Sequence, residues 1–165
     1  MSDPVRSAYA AALAMLARRE LSEAQVRERL ARREHEPPAI DEAVTRLKAA
    51  GALDDRRVAL AAARTEAQVR SRGRARVLQR VRALGIDPEL ASQAVDEVFA
   101  AVDEDALLER ALARRLRGPA ARITDPALFR RLFQQLVRQG FSPSAVSRTL
   151  RSHGRKGPEP EEEQG

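Results

Sequence analysis

The stretch MLARRELSEAQVRERL, from Met15 to Leu30, returns in altered form 120 residues later as QLVRQGFSPSAVSRTL, from Gln135 to Leu150. In each copy a serine follows four residues after an arginine, and a valine and a leucine come four and eight residues after the serine. A serine at this place caps a helix start, and apolar residues four apart share one helix face. The match therefore indicates stacked helical packets and predicts six packing residues: Leu16, Val26, Leu30, Leu136, Val146 and Leu150. The matching arginines, Arg18 and Arg138, fit either a solvated or a partner-facing place.

Residues that favour helix ends recur along the chain. A capping side chain followed by proline marks a helix start, because the cap satisfies a free N–H group and proline needs no donor there. Four such pairs occur, at Asp3-Pro4, Asp87-Pro88, Asp125-Pro126 and Ser142-Pro143, and Ser22 with Gln25 fits a capping box. Glycine tolerates the left-handed backbone of a helix C-cap. Four glycines lie where predicted helices should end: Gly51, Gly85, Gly118 and Gly140.

These signals predict an all-α protein with no sheet. We expect about nine helices, at residues 4–20, 22–34, 38–50, 55–71, 74–84, 88–101, 104–117, 126–139 and 142–152. Short helices gain a core by stacking, which is the logic of repeat proteins. We therefore expect three tandem three-helix repeats, at 4–52, 54–102 and 104–153, followed by a disordered acidic tail at 154–165.

The composition excludes several classes of protein. There is no cysteine among the 165 residues, which rules out disulfides, thiolate metal sites and cysteine nucleophiles. No apolar run resembles a signal peptide or a membrane span, so we expect a cytoplasmic protein that is monomeric and has no membrane partner. The net charge of +6, carried almost entirely by arginine, suits an anionic partner.

The positive charge is concentrated in two stretches. Seven arginines lie between Arg64 and Arg82 against one acidic residue, and eight lie between Arg110 and Arg138 against one. The segment RSRGRAR, Arg70 to Arg76, places several guanidinium groups within reach of one polyanion, although a solvated linker is the alternative. The candidate residues for binding a partner or nucleic acid are Arg70, Arg72, Arg74, Arg76, Arg80, Arg82, Arg114, Arg115 and Arg117. The last three also fit a solvated helix face.

Signals for catalysis are poor. The two histidines, His35 and His153, have no ligand pattern around them, and Asp54-Asp55 is explained by a helix cap. No glycine loop, nucleophile elbow or zinc-ligand spacing occurs. We therefore predict a protein that is not an enzyme, with no catalytic residue, metal or cofactor.

Four segments resemble the RecX family of regulatory proteins. The first is ALAMLARRELS, Ala12 to Ser22, with Val26 and Leu30, and the second is LKAAGALDDRRVA, Leu47 to Ala59. The third is the basic stretch that runs into Leu84-Gly85-Ile86-Asp87, and the fourth is LVRQGFS, Leu136 to Ser142. Ala52 and Val58 depart from the pattern, which has aromatic residues at these places.

The resemblance implies three tandem three-helix repeats in an elongated, curved protein. It also implies a modulator of the RecA recombinase that lies in the groove of the RecA filament on single-stranded DNA. Such a protein mainly inhibits ATP hydrolysis, strand exchange and coprotease activity, and it touches DNA directly or through the filament, with duplex DNA as a further possibility. Two alternatives stay open from the residues: a helix-turn-helix transcriptional regulator, and an adaptor that binds only protein.

Overall fold

A computed structural model describes residues 1–116, 123 and 125–155. These residues form nine α-helices and no strand, which confirms the all-α prediction for this part of the chain. A π-helical turn, Thr65–Val69, directly follows α4. The helices are α1 (Asp3–Leu16), α2 (Glu23–Ala31), α3 (Pro37–Ala49), α4 (Asp55–Arg64), α5 (Arg74–Arg82), α6 (Pro88–Phe99), α7 (Glu104–Ala113), α8 (Pro126–Arg138) and α9 (Pro143–Arg155).

Most of the expected caps are present. The Ser22 side chain accepts a hydrogen bond from the Gln25 N–H, and the Gln25 side chain returns one to the Ser22 N–H, which completes the capping box of α2. Asp87, Asp125 and Ser142 cap their helices through their side chains as predicted. At the first helix the cap is one residue earlier than expected, because Ser2 holds the N-cap place and Asp3 is already helical.

Three of the four predicted glycine stops are observed. Gly51, Gly85 and Gly140 have φ angles of 68°, 75° and 100°, which a residue with a Cβ rarely adopts. Helices α3, α5 and α8 each end two or three residues before one of these glycines. Gly118 lies outside the described residues.

The chain divides into two compact units. The first comprises residues 1–65 and 78–100. One of its apolar clusters runs from Val5 to Leu53 and joins α1, α2 and α3. Small residues on the facing helices, such as Ala8, Ala12 and Ala43, are fully covered, so α1 and α3 pack closely. In the same unit α4 packs against α6.

The second unit comprises residues 66–77 and 101–165. Here α7, α8 and α9 pack against one another around Leu107, Leu112 and Leu136, which are fully buried. On α8, the rings of Phe129 and Phe133 stack with centroids 6.4 Å apart. In the repeated stretches, Val26, Leu30, Leu136, Val146 and Leu150 have no exposed surface, as predicted, whereas Leu16 is only half-buried.

The last helix continues to Arg155, two residues into the predicted tail, and residues 156–165 lie outside the described part of the chain. The division into three repeats, at 4–52, 54–102 and 104–153, stays a prediction. Among the described residues, no helix combines the length and the apolar character needed to cross a membrane.

Candidate functional site

Six arginines of the second unit line one open depression of about 610 Å³. They come from the link before α5, the first turn of α5, the turn after α7 and the end of α8. Among the described residues, Val69, Gln135 and Gln139 also line it, and none of these lining residues is acidic. We call this the arginine depression; its arginines are Arg70, Arg72, Arg76, Arg114, Arg115 and Arg138.

The chain reaches this depression through an irregular segment. The sequence predicts an α-helix as far as residue 71, but the α-helical hydrogen bonds stop at Arg64 and widen into the π-helical turn. π-Helical turns are rare and frequently lie at functional sites. Two residues later Ser71 has a φ of 49°, a conformation that costs a non-glycine residue about 1–2 kcal/mol. Contacts around the link must therefore hold it in place.

Glu66, in the π-helical turn, supplies the first of these contacts. Its carboxylate is largely buried and pairs with two arginines, Arg70 at 3.2 Å and Arg72 through the other oxygen. The Arg72 N–H also donates to the Glu66 carbonyl oxygen at 3.1 Å. This carboxylate orients both side chains but offsets only one of their two positive charges.

Gln139, at the C-cap of α8, supplies the second set of contacts. Its side-chain Nε2 donates to the Ser71 carbonyl oxygen at 2.7 Å, and its Oε1 accepts from Arg115. Its own carbonyl oxygen accepts from the Gly73 N–H at 3.0 Å. One residue thus joins the link, the turn after α7 and the end of α8.

Two glycines allow this close approach. A Cβ atom on Gly73 would lie 2.3 Å from the Gly140 carbonyl carbon and 2.5 Å from the Phe141 nitrogen. A Cβ atom on Gly140 would lie 2.4 Å from the Arg76 nitrogen. Because both obstacles are backbone atoms, neither can swing aside, and only glycine fits at these two positions.

The turn after α7 contributes two arginines in different states of burial. Arg114 is exposed and donates from both Nη atoms to the Val69 carbonyl oxygen, at 3.3 and 3.4 Å. Arg115 is half-buried, and burial together with the neighbouring Arg114 charge lowers the pKa of its guanidinium. Arginine titrates so far above neutrality that Arg115 still carries its charge at pH 7.

Arg138 is exposed at the end of α8. Its guanidinium makes no hydrogen bond or ion pair with any other residue of the described ranges. The Val69 side chain, 66% exposed, adds a small apolar surface to the same depression. The depression thus combines fixed charges, at Arg72 and Arg115, with a charge that can turn toward a ligand.

The structure brings together five of the nine arginines predicted as binding residues: Arg70, Arg72, Arg76, Arg114 and Arg115. Arg74 belongs to the same unit and is exposed, but does not line the depression. Arg80 and Arg82 belong to the first unit and are exposed there. Arg117 lies outside the described residues.

Sequence reasoning missed three lining residues: Val69, Gln135 and Gln139. It left a fourth, Arg138, open between a solvated and a partner-facing role. The sequence signal that could have found Gln139 and Arg138 is the segment LVRQGFS, which contains both residues and carries part of the family resemblance. Their nearness to Arg72 depends on a contact between residues more than sixty positions apart, which no local pattern reports.

Asp54, Asp55 and His153 have structural partners. Asp54 caps α4 by accepting from the Arg57 N–H, and Asp55 accepts from the Glu23 N–H at 2.7 Å. His153 lies 2.8 Å from a Glu109 carboxylate oxygen. Within the described ranges no cluster of His, Asp and Glu has the arrangement of a metal site.

Comparisons with known proteins agree with this description. Residues 8–47 match the family model described as RecX, first three-helix domain. Regulatory protein RecX of Halorhodospira halophila is 32% identical over 145 residues, which cover 88% of this chain and 85% of that protein. The namesake in Syntrophotalea carbinolica is 30% identical over 146 residues, covering 87% and 94%.

Longer relatives and solved structures match as well. The chain spans little more than half the length of Regulatory protein RecX from Geobacillus kaustophilus and Geobacillus thermodenitrificans, 56% and 55%, at 29% and 28% identity over 93% and 90% of this chain. The crystal structure of RecX from Lactobacillus salivarius superposes with a TM-score of 0.75 at 20% identity, covering 93% of this chain and 98% of that one. A second RecX crystal structure gives 0.72 at 18% identity, covering 91% and 72%. At these identities the structural likeness concerns the fold.

Proposed function

We propose that this chain, which belongs to the RecX family of regulatory proteins, binds the filament that the RecA recombinase forms on single-stranded DNA and restrains it. The activities restrained are ATP hydrolysis, strand exchange and coprotease function. The protein acts by binding in the cytoplasm, without catalysis, metal or cofactor, and DNA is touched directly or through the filament.

The observation that carries the proposal is the arginine depression. Six guanidinium groups face one open surface, and the described residues that line it include no carboxylate. Guanidinium forms paired hydrogen bonds with carboxylate and phosphate alike, and both groups occur on a protein–DNA filament. Three contacts hold the surface in shape before a partner arrives: Glu66 with Arg70, Glu66 with Arg72, and Gln139 with Arg115.

Restraint follows from binding to more than one protomer. An active filament must change conformation as ATP is hydrolysed, and a ligand that fits only one arrangement of neighbouring protomers shifts the population toward it. A protein lying in the filament groove would act in this way. Binding at a filament end would instead block the addition of protomers, and the stoichiometry of inhibition distinguishes the two modes.

The alternative of a sequence-specific transcriptional regulator has less support. Arginine can pair with guanine, but reading adenine needs an amide side chain, and of the two glutamines in the described lining Gln139 is already bonded to Arg115 and Ser71. Such a regulator should prefer one duplex site by roughly 4–10 kcal/mol over other sequences, which a competition assay with random duplexes measures. A filament modulator should show little sequence preference. An adaptor that binds only protein should retain no DNA at low salt.

The test uses the double variant Arg114→Ala/Arg138→Ala, because both side chains are exposed and neither holds a buried partner. Arg72 is avoided since its loss would leave the buried Glu66 carboxylate short of a charge. The matched control is Arg6→Ala/Arg46→Ala, which removes two exposed arginines of the first unit that pair with Asp3 and Glu42. Both variants lower the net charge equally.

The measurement is ATP hydrolysis by RecA on single-stranded DNA during titration with each protein. We expect the depression variant to need several-fold more protein for half-inhibition than the wild type, and the control to match the wild type. Equal inhibition by a folded Arg114→Ala/Arg138→Ala protein would contradict the assignment of the depression. Failure of the wild-type protein to inhibit would contradict the proposed function itself.

A further inference from the structure

A second group of five arginines surrounds Met15 in the first unit. They line a depression of about 470 Å³ together with Met15, and no other residue among 1–116, 123 and 125–155 takes part in the lining. We call this the first-unit cluster; its arginines are Arg18, Arg19, Arg29, Arg32 and Arg33. We propose that it binds the phosphate backbone of nucleic acid without reading the sequence.

The ends of two helices create the cluster. Arg18 and Arg19 lie in the turn after α1, Arg29 in the last turn of α2, and Arg32 and Arg33 in the turn after α2. That second turn is fixed by Glu34, whose φ of 62° closes the helix, and by hydrogen bonds from the Arg33 and His35 N–H groups to the Leu30 carbonyl oxygen. Because α1 and α2 pack together, both turns face the same depression.

Four of these five guanidinium groups are unpaired within the described part of the chain. Arg32 pairs with Glu28, whereas Arg18, Arg19, Arg29 and Arg33 make no side-chain hydrogen bond or ion pair there. This contrasts with other arginines of the same unit, such as Arg27, Arg46 and Arg57, which each pair with a carboxylate. Helix propensity does not account for the cluster, since four of its five arginines lie in the turns after α1 and α2.

Local electrostatics leave an excess of charge. Glu28 offsets one arginine, and the two helix C-termini together contribute about one negative charge. Counting only the described lining residues, Glu28 and the two helix ends, about three positive charges remain to be met by a ligand. Like charges held close together raise the free energy of the unbound protein, so a polyanion gains affinity at this place.

The lining favours nucleic acid over an acidic protein. Protein partners anchor their binding energy in apolar pockets, but the one apolar residue here, Met15, is only 9% exposed. A phosphate backbone needs no such anchor, because most of its non-specific affinity comes from released counterions. The described lining has no aromatic ring on which bases could stack and no Asn or Gln to pair with adenine, so contacts to the phosphates carry the affinity. The expected ligand is thus a phosphate backbone of any sequence.

The test measures binding of labelled oligothymidylate and of a mixed-sequence duplex to the free protein over a range of salt. The variant is Arg18→Ala/Arg33→Ala, which removes one unpaired, exposed arginine from each turn. Each lost phosphate contact lowers the slope of log K against log salt by about 0.7 on a single strand, so two should lower it by about 1.4. We expect affinity at low salt to fall about tenfold or more.

Three comparisons keep the result interpretable. Arg6→Ala/Arg46→Ala should retain the wild-type slope. If this control loses as much slope as Arg18→Ala/Arg33→Ala, the effect comes from net charge alone and the site is contradicted. Arg18→Lys/Arg33→Lys should also retain the slope, because the charges remain. If this variant loses the slope and also melts at a lower temperature, the two arginines stabilise the fold and do not bind phosphate. Displacement of the oligonucleotide by poly-glutamate at equal charge would overturn the nucleic-acid assignment in favour of an acidic protein.

This site does not rest on the filament proposal, since the assay contains no recombinase. A wild-type slope in Arg18→Ala/Arg33→Ala would overturn the first-unit cluster and leave the arginine depression untouched. Unchanged inhibition by Arg114→Ala/Arg138→Ala would contradict the arginine depression and leave the first-unit cluster untouched.

Discussion

At the scale of single residues, the two serines that hold equivalent places in the repeated stretches have different surroundings. Ser22 is fully buried, and its hydroxyl both caps α2 and donates to the Leu84 carbonyl oxygen. Ser142 is exposed and makes its capping bond to the Ala145 N–H without reaching another element. The same local signal therefore caps only α9 at Ser142, whereas at Ser22 it also joins α2 to a distant part of the first unit.

We predict that Ser22→Ala lowers the free energy of unfolding by about 2 kcal/mol, from a lost cap and an unpaired carbonyl oxygen. Ser142→Ala should cost about 1 kcal/mol or less, because only the cap is lost. Urea denaturation of the two variants measures both values. Equal losses would mean that the Ser22 bond to Leu84 contributes nothing.

At the scale of elements, the second unit depends on the approach of the link before α5 to the turn between α8 and α9. Gly73 and Gly140 meet there backbone to backbone, and the Gly73 N–H donates to the Gln139 carbonyl oxygen. This contact also sets the place of Arg72 and Arg76 in the arginine depression. Stability and binding are therefore coupled at one point.

We predict that Gly73→Ala destabilises the protein by about 2–3 kcal/mol, because its Cβ meets backbone atoms that cannot move aside. Gly51→Ala is the matched control: its φ of 68° is strained for alanine, but no atom lies within 4 Å of the new Cβ. We expect about 1 kcal/mol there. Thermal and urea unfolding of both variants checks the order, and a larger loss in Gly51→Ala would contradict the steric argument.

At the scale of the whole molecule, charge and surface composition favour a single chain in solution. The net charge is +6, and the exposed large apolar side chains of the described residues are limited to Met1, Leu13 and Val69. A homodimer interface needs a contiguous apolar core, which three scattered side chains do not provide. Like charges also oppose association.

We predict that the protein is a monomer of 18.2 kDa near physiological salt. Light scattering after size exclusion measures the mass directly. Raising the salt concentration should leave it unchanged, because screening removes the repulsion without creating an apolar interface. A mass near twice this value at either salt concentration would contradict the prediction.

The sequence by itself determined which described segments are helical and where most of them begin, whereas α1, α2, α4 and α7 end three to seven residues earlier than predicted. Capping residues, proline in the first turn and left-handed glycines act on residues close to them in the sequence. Their effects at Ser22, Asp87 and Gly140 can therefore be predicted without knowing the fold. The excess of arginine and the stretches that carry it are equally local facts. The irregular π-helical turn was missed, because residues 55–71 have good α-helical spacing throughout.

Only the tertiary structure decided which arginines act together. Arg138 joins Arg72 and Arg115 through contacts made by Gln139, and Glu66 turns inward to hold Arg70 and Arg72. The repeated stretches that open the sequence contain Arg18 and Arg138, and packing places one in each of the two arginine-lined depressions. Helix signals depend on neighbours along the chain, whereas a binding surface depends on distances between segments far apart in sequence, which only packing fixes.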